Sequence, residues 1–312
     1  VTSPVGPAVL GTASALADWL DVQEVDPDRY TAWCHGGAPL RAMGGLVAAQ
    51  ALTAAGRSVD AGRVVHSLHG YFLRSGDTRR PVEYAVERLR DGRSYDARRV
   101  VASQGGEPVF TLAASFKAPE GPDAGPERQP AMPEVAPPEE LVDAWQVWSE
   151  IHPSSYETSP YAHVTQLRVV PVEETGADRA GEIRQCVWIR SAHPLGDDPM
   201  LHASALTYCS DISLAQTATL DHDVLYPLRQ APSRLALASI DHAVWFHRAF
   251  RADEWLLFVQ RSPSAGDGRG MNHGEFWTRD GVLVASAAQE SVLRTVRSRP
   301  TNEAVSGPPN ER

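Results

Sequence analysis

The 312-residue chain carries 39 acidic against 29 basic residues, a net charge of −10 at pH 7, which argues against a nucleic-acid partner, since nothing resembles a continuous basic surface to release counterions. Its 42% hydrophobic content can bury real cores, and the length suits two ordinary domains better than one. No run of about 18 apolar residues marks a membrane span, and VTSPVGPAVLGTASALADWL has no basic region ahead of an apolar core, so the chain is expected to be soluble and cytoplasmic. In chain order, MGGLVAAQALTAAG (residues 43–56) reads as a helix without any charge, entered through Gly44 and Gly45. Strand patterns follow in VVHSLHGYFL, PVEYAVERLR, SYDARRVVASQ and PVFTLAASF, parted by the turn signals SGD, RDGR and QGGE. Residues 119–138 hold seven prolines among Glu, Gly and Ala and predict a linker without regular structure. Beyond it the order recurs: strands in RVVPVE and EIRQCVWIR, a second uncharged helix, then strands in LALASIDHAVWFHR, EWLLFVQRS, MNHGEFWTR and VLVASAAQESVLR.

The second helix, placed over residues 201–218, poses a chemical question. Between Ala203 and Leu220 the only charged residue is Asp211. A period of 3.6 sets Leu201, Ala205, Tyr208, Cys209, Ile212 and Ala215 on one apolar stripe, with only small or neutral polar residues elsewhere. Such a helix is enclosed, and an enclosed carboxylate is costly unless something hydrogen-bonds it or uses it. Taken alone, such an Asp211 is more often a structural acceptor than a catalytic base.

The two halves overlay. SLHGYFLR matches SIDHAVWFHR in its His and aromatic positions, and GGEPVFTLAASF matches RDGVLVASAAQE, which aligns Ser115 with Gln289. A helix plus several antiparallel strands, repeated at this length, implies duplication. Because each helix is apolar nearly all round, the economical arrangement is a curved antiparallel sheet wrapped about each helix, with the two sheets paired edge to edge.

Seven blocks, LRAMGGLVAAQAL, VHSLHGYFLRSGD, ERLRDGRSYDARRV, FTLAASFKAPE, LHASALTYCSD, ASIDHAVWFHR and GEFWTRDGVLVASAAQE, span about residues 40–293. As an ordered set they resemble the acyl-CoA thioesterase II family. The resemblance implies an α+β double hotdog. Together with the Pro-rich segment it divides the chain into an expected N-terminal half over 1–118 with an extension, a linker at 119–140, a C-terminal half over 141–296 carrying the catalytic residues, and a tail at 297–312 expected to be disordered. It implies hydrolysis of fatty acyl-CoA thioesters by a water held by an Asp, a Thr and a Gln of the second half. These positions fall on Asp211 in YCSD, on Ser239 before IDH, and on Gln289 in SAAQE. Ser239 departs from the family Thr but keeps its hydroxyl. Met43 departs where an aromatic residue is usual, which bears on the shape of the acyl pocket. The first half has no helix Asp, so one active centre per chain is expected. A homo-oligomer, dimer or tetramer, is expected too.

The residue types suit the reaction. Sulfur donates weakly into the thioester carbonyl and leaves as a thiolate, so an oriented water and an oxyanion site suffice without a covalent intermediate. A carboxylate accepts the water's proton while a hydroxyl and an amide fix its orientation. Gly44 and Gly45, at a helix start, are the candidate oxyanion donors. Two other readings share the fold: a silent acyl-CoA-binding paralogue, and another hotdog thioester enzyme such as a dehydratase or acyl transferase.

The remaining candidates weigh less. Cys34, Cys186 and Cys209 are odd in number, far apart and set in apolar segments, which suits buried thiols in a reducing compartment. His242 and His247 lack companions for a metal site, so no metal and no cofactor are expected, and Asp241 and His242 are read as bracing the strand beside the pocket. RLRDGRSYDARR holds five arginines and could meet coenzyme A phosphates. A solvated hairpin with Arg93 near its tip accounts for it better. One lysine, Lys117, among 29 basic residues points to a high-GC bacterial genome.

Overall fold

The computed structural model describes residues 14–37, 41–120, 125–171, 175, 184–219 and 235–295. The expected tail at 297–312, part of the linker at 121–124, the strand end at 172–173 and the strand start at 182–183 lie outside the described residues. The chain opens with α1 (Leu16–Leu20), β1 (Gln23–Asp26), β2 (Arg29–Ala32), β3 (Gly36–Gly37), β4 (Arg41–Ala42) and α2 (Gly44–Gly56). Four long strands follow: β5 (Val64–Phe72), β6 (Val82–Arg90), β7 (Tyr95–Gln104) and β8 (Glu107–Lys117). The second half runs through α3 (Ala144–Ile151), α4 (Pro153–Thr158), α5 (Tyr161–Val164), β9 (Thr165–Val169), β10 (Arg184–Ser191) and α6 (Pro199–Asp211). After a 3-10 turn at Leu214–Thr219 come β11 (Leu235–Ser239), β12 (Asp241–Phe246), β13 (Leu256–Gly266), β14 (Arg269–Thr278) and β15 (Leu283–Thr295).

One antiparallel sheet unites the halves in the order β1-β2-β6-β7-β8-β5-β12-β15-β14-β13-β10-β9, with β11 added to β15. The join is β5 against β12, with Gly70 opposite His242. Each half wraps one central helix, as the uncharged sequences require. In α2 every residue from Gly45 to Leu52 is buried, and in α6 every residue from His202 to Ser210. Leu68, Val100 and Leu112 belong to the same core as Val244, Phe258 and Phe276, so the helices share one interior. They run antiparallel: Thr53 Oγ1 lies 2.9 Å from Ser204 Oγ, the N-terminal Gly45 packs on Tyr208 and Asp211, and the C-terminal Gly56 packs on Met200. This is the double hotdog expected from the blocks.

Two features depart from the sequence reading, and a third adds to it. The helix predicted to reach residue 218 stops at Asp211. The apolar spacing continues past that point, but Ser213 and Thr217 bond instead to both ends of the buried Gln260 amide, at 2.8 and 3.0 Å, and this tertiary pairing fixes a tighter turn. The match of His69 with His242 does not hold in space: His69 is exposed, whereas His242 is fully buried. It is His66 that meets Ser115, at 2.7 Å. Finally, the described Pro-rich residues, though mostly irregular, are seated on the sheet. Gln129 bonds Gly281 O and Leu283 N, Trp188 Nε1 donates to Ala136 O at 2.9 Å, and Met132, Val135 and Leu141 cover Val170, Cys186, Trp188, Leu257, Val259 and Trp277.

Candidate active site

Asp211 is the last residue of α6 and Gly45 stands in the first turn of α2. A carboxylate at the end of its own helix faces unpaired carbonyls, an unfavourable position. The antiparallel packing answers this by presenting the N-terminus of α2 to it: Gly45 N–H donates to Asp211 Oδ2 at 2.6 Å. A Cβ on Gly45 would lie 2.6 Å from Asp211 Cβ and 2.9 Å from Tyr208 O, and one on Gly44 would lie 3.2 Å from Asp211 Oδ2 and 2.9 Å from the Phe72 ring. The pair of glycines is therefore what lets the carboxylate reach the helix start. Gly45, read from the sequence as an oxyanion donor, has its N–H directed at the carboxylate.

The other two candidates converge on the remaining oxygen. Ser239 Oγ donates to Asp211 Oδ1 at 3.2 Å and Gln289 Nε2 donates to the same atom at 2.7 Å. Ser239 arrives from the end of β11, beside the kink at Ile240, where Ile240 N bonds Glu290 O and Ile240 O accepts from Phe72 N. Asp241 Oδ1 accepts from Glu290 N at 2.6 Å and fixes that kink, as its strand-bracing reading expects. Gln289 comes from β15, opposite Asn272. The lone aspartate of the uncharged helix thus has two neutral side-chain donors and a backbone N–H, and no cation among its described hydrogen-bond partners.

Gly44, Asp211 and Ser239 line one cavity of about 330 Å³ together with Val47, Phe72 and Phe110. Larger clefts near α1 and near the start of α6, of about 970 and 730 Å³, contain none of Asp211, Ser239 and Gln289. Met43, the N-cap of α2, packs partly buried against the shared core. At the opposite end of α2 the helix closes with Gly56 against Met200 rather than with a carboxylate. The arginine-rich hairpin lies apart, and none of it lines the cavity. Arg88 pairs with Asp28 and Arg99 with Glu87 at the surface. Arg98, expected with the others on a solvated face, is 1% exposed and is held by Ser58 Oγ, Ser58 O, Arg90 O, Ala97 O and Asp91. Among the described residues no cluster of three or more His, Cys, Asp or Glu could hold a metal.

Sequence reasoning missed the depth of the polar network behind Gln289. Gln289 Nε2 also lies 3.1 Å from His242 Nδ1, and His242 Nε2 lies 2.7 Å from Ser210 Oγ. Burial holds the imidazole below its usual range, against the opposing fields of Asp211 and Asp241. Nothing in the local pattern marks Ser210, one more small polar residue in an uncharged helix; only its place before Asp211 could have drawn notice.

Sequence comparison gives the geometry a context. The family described as acyl-CoA thioesterase matches residues 161–292, and the acyl-CoA thioesterase N-terminal domain matches residues 29–117. Acyl-coenzyme A thioesterase 8 of Homo sapiens is 35% identical over 88% of this chain and 87% of its own length. Acyl-CoA thioesterase 2 of Haemophilus influenzae is 32% identical over 81% of this chain and 87% of its own. The crystal structure of the acyl-CoA thioesterase II TesB2 from Mycobacterium marinum superposes with a TM-score of 0.75 at 41% identity, covering 90% of this chain and 98% of that one. With both halves matched and the relatives aligned along most of their length, the chain belongs to the acyl-CoA thioesterase II family of double-hotdog thioester hydrolases.

Proposed function

We infer that the chain hydrolyses acyl-CoA thioesters to a carboxylic acid and coenzyme A through one water activated by Asp211 with Ser239 and Gln289. The observation that carries this reading is the Gln289 amide. Its Nε2 is committed to Asp211, while Oε1 is buried without a hydrogen-bond partner among the described residues, and a buried acceptor in that state marks a place for an O–H donor. A water there gives one proton to Gln289 Oε1 and the other to Asp211, while Ser239, its own proton on Asp211 Oδ1, steadies the carboxylate that receives it.

The water oxygen bonds to the thioester carbon as Asp211 takes its proton, and the carbonyl oxygen becomes an oxyanion. Collapse breaks the C–S bond, and the departing thiolate takes up the proton from Asp211, which restores the carboxylate. Of the two glycines, Gly45 serves the carboxylate and Gly44, at the positive end of α2, serves the oxyanion. Ser239 in place of the family Thr keeps the donor and acceptor and omits a methyl.

A thiol-release assay over acyl-CoA substrates of increasing chain length tests this function. Stoichiometric thiol and carboxylic acid with an unchanged carbon skeleton are expected. Binding without turnover would indicate a silent paralogue, and a rearranged or dehydrated acyl chain a different hotdog enzyme; either would overturn the reading.

A further inference from the structure

We propose that His242 is a positioning residue for the hydrolytic water, acting through Gln289: with Ser210 it sets the side-chain amide so that its oxygen is turned to the water and its nitrogen to Asp211. The proposal rests on the reading of Gln289 as a water ligand. The placement of each proton decides it. Ser210 Oγ lies 2.9 Å from Thr207 O, an acceptor without a proton, so the hydroxyl hydrogen goes there. Ser210 Oγ must then accept at its 2.7 Å contact with His242 Nε2, which places the imidazole proton on Nε2 and leaves Nδ1 a bare acceptor. Nδ1 in turn accepts from Gln289 Nε2 at 3.1 Å.

Both amide protons of Gln289 are thereby used, one on Asp211 Oδ1 and one on His242 Nδ1. The reversed amide would set its oxygen against a carboxylate oxygen on one side and an imidazole lone pair on the other, so the network admits one orientation. His242 is 0% exposed, and burial keeps the ring neutral by disfavouring its charged form. A protonated ring would lose the Nδ1 acceptor and invite the flip. The strand register supports the arrangement, because β12 and β15 put Ala243 opposite Ala288, one step from His242 and Gln289. In the first half the analogous contact is His66 to Ser115, a hydroxyl that rotates and cannot encode an orientation in this way.

The test is a double-mutant cycle read in kcat and KM, with chemical unfolding followed in parallel. His242→Leu is expected to lower kcat by about tenfold or more with KM changed less than about twofold. In a Gln289→Ala background the same substitution should cost less than about twofold in kcat, because the group it orients is gone. His242→Asn, which keeps an acceptor near the Nδ1 position, should recover most of the loss. If the Leu variant does not fold, Ser210→Ala takes its place in the cycle: it unpins the tautomer, and should lower kcat several-fold when Gln289 is present but have no such effect in the Gln289→Ala background. Equal factors in both backgrounds, or wild-type kcat in folded His242→Leu, would overturn the proposal and leave His242 as a strand brace. Wild-type turnover in Gln289→Ala alone would instead remove the water-site reading on which it rests.

Discussion

Gly45→Ala probes the contact on which the site depends. Replacing a helical glycine by alanine ordinarily stabilises a protein by about 0.5–1 kcal/mol. Here the added Cβ would sit 2.6 Å from Asp211 Cβ and 2.9 Å from Tyr208 O, well inside the roughly 3.5–4.0 Å of an ordinary carbon contact. Neither neighbour is the loose end of a flexible side chain. One is backbone of α6, and the other is anchored through its carboxylate by three hydrogen bonds. The helices must part, at a cost of about 1–3 kcal/mol for overpacking. Parting also stretches the Gly45 N–H bond to Asp211, a bond to a charged group worth about 1.5–3 kcal/mol. The net is a loss of about 2–5 kcal/mol, opposite in sign to the propensity expectation. Gly44→Ala should be milder, because its close neighbour is the Phe72 ring at 2.9 Å, a side chain that can turn aside. Denaturant unfolding gives the stability, and thiol release gives kcat, which should fall by about tenfold or more in Gly45→Ala. A Gly45→Ala variant at least as stable as wild type and fully active would refute the packing argument.

Ser239→Thr should keep substantial activity, because it preserves the hydroxyl that donates to Asp211 Oδ1, whereas Ser239→Ala should cost on the order of 1–3 kcal/mol in kcat/KM by leaving a shielded polar group short of a partner; equal kinetics in all three forms would take Ser239 out of the site. Arg98→Met should destabilise the fold by about 1–3 kcal/mol, since it removes the donor to Ser58 Oγ, Ser58 O and Arg90 O, while Asp91 is exposed and stays solvated. It should leave kcat of the folded protein unchanged because it lies outside the cavity, and a stability close to wild type would contradict the burial seen for Arg98. Burial pushes the thiols of Cys34, Cys186 and Cys209 up to about 12, so at about pH 8 they should alkylate at least about a thousandfold more slowly in the native protein than after unfolding, and rapid native labelling would contradict their placement.

Much of this architecture is legible in the residues. Uncharged helices can only be enclosed, which is why the segment after Met43 and the one ending at Asp211 point directly to a wrapped sheet. The ordered blocks then bring Asp211, Ser239 and Gln289 to one place. What could not be read depends on contacts between distant segments. Apolar spacing runs on through Ile212 and Ala215, so the stop of α6 at Asp211 is set by Gln260 from another strand. Proline content predicts irregular backbone but not that Gln129 and Ala136 are tied to the sheet. The burial of Arg98 reflects Ser58, 40 residues away, whereas its charged neighbours in sequence suggest solvent. The N-terminal hairpin of β1 and β2, which extends the sheet beyond β6, and the aromatic packing of Trp145, Trp148 and Tyr161 in α3 and α5 lie outside the seven blocks and gave no comparable signal. The tautomer of His242 emerges only once Thr207, Ser210 and Gln289 are placed together.

The central claim is that an ionised Asp211 takes the proton of the attacking water. Asp211→Asn is nearly isosteric and keeps an oxygen for Gly45 N–H, but it cannot accept that proton as a base. Single-turnover hydrolysis of one acyl-CoA, with substrate affinity measured separately, tests this most directly. A fall in the chemical rate of about a hundredfold or more with affinity nearly intact is the predicted result, and wild-type turnover in the folded Asn variant would contradict the account.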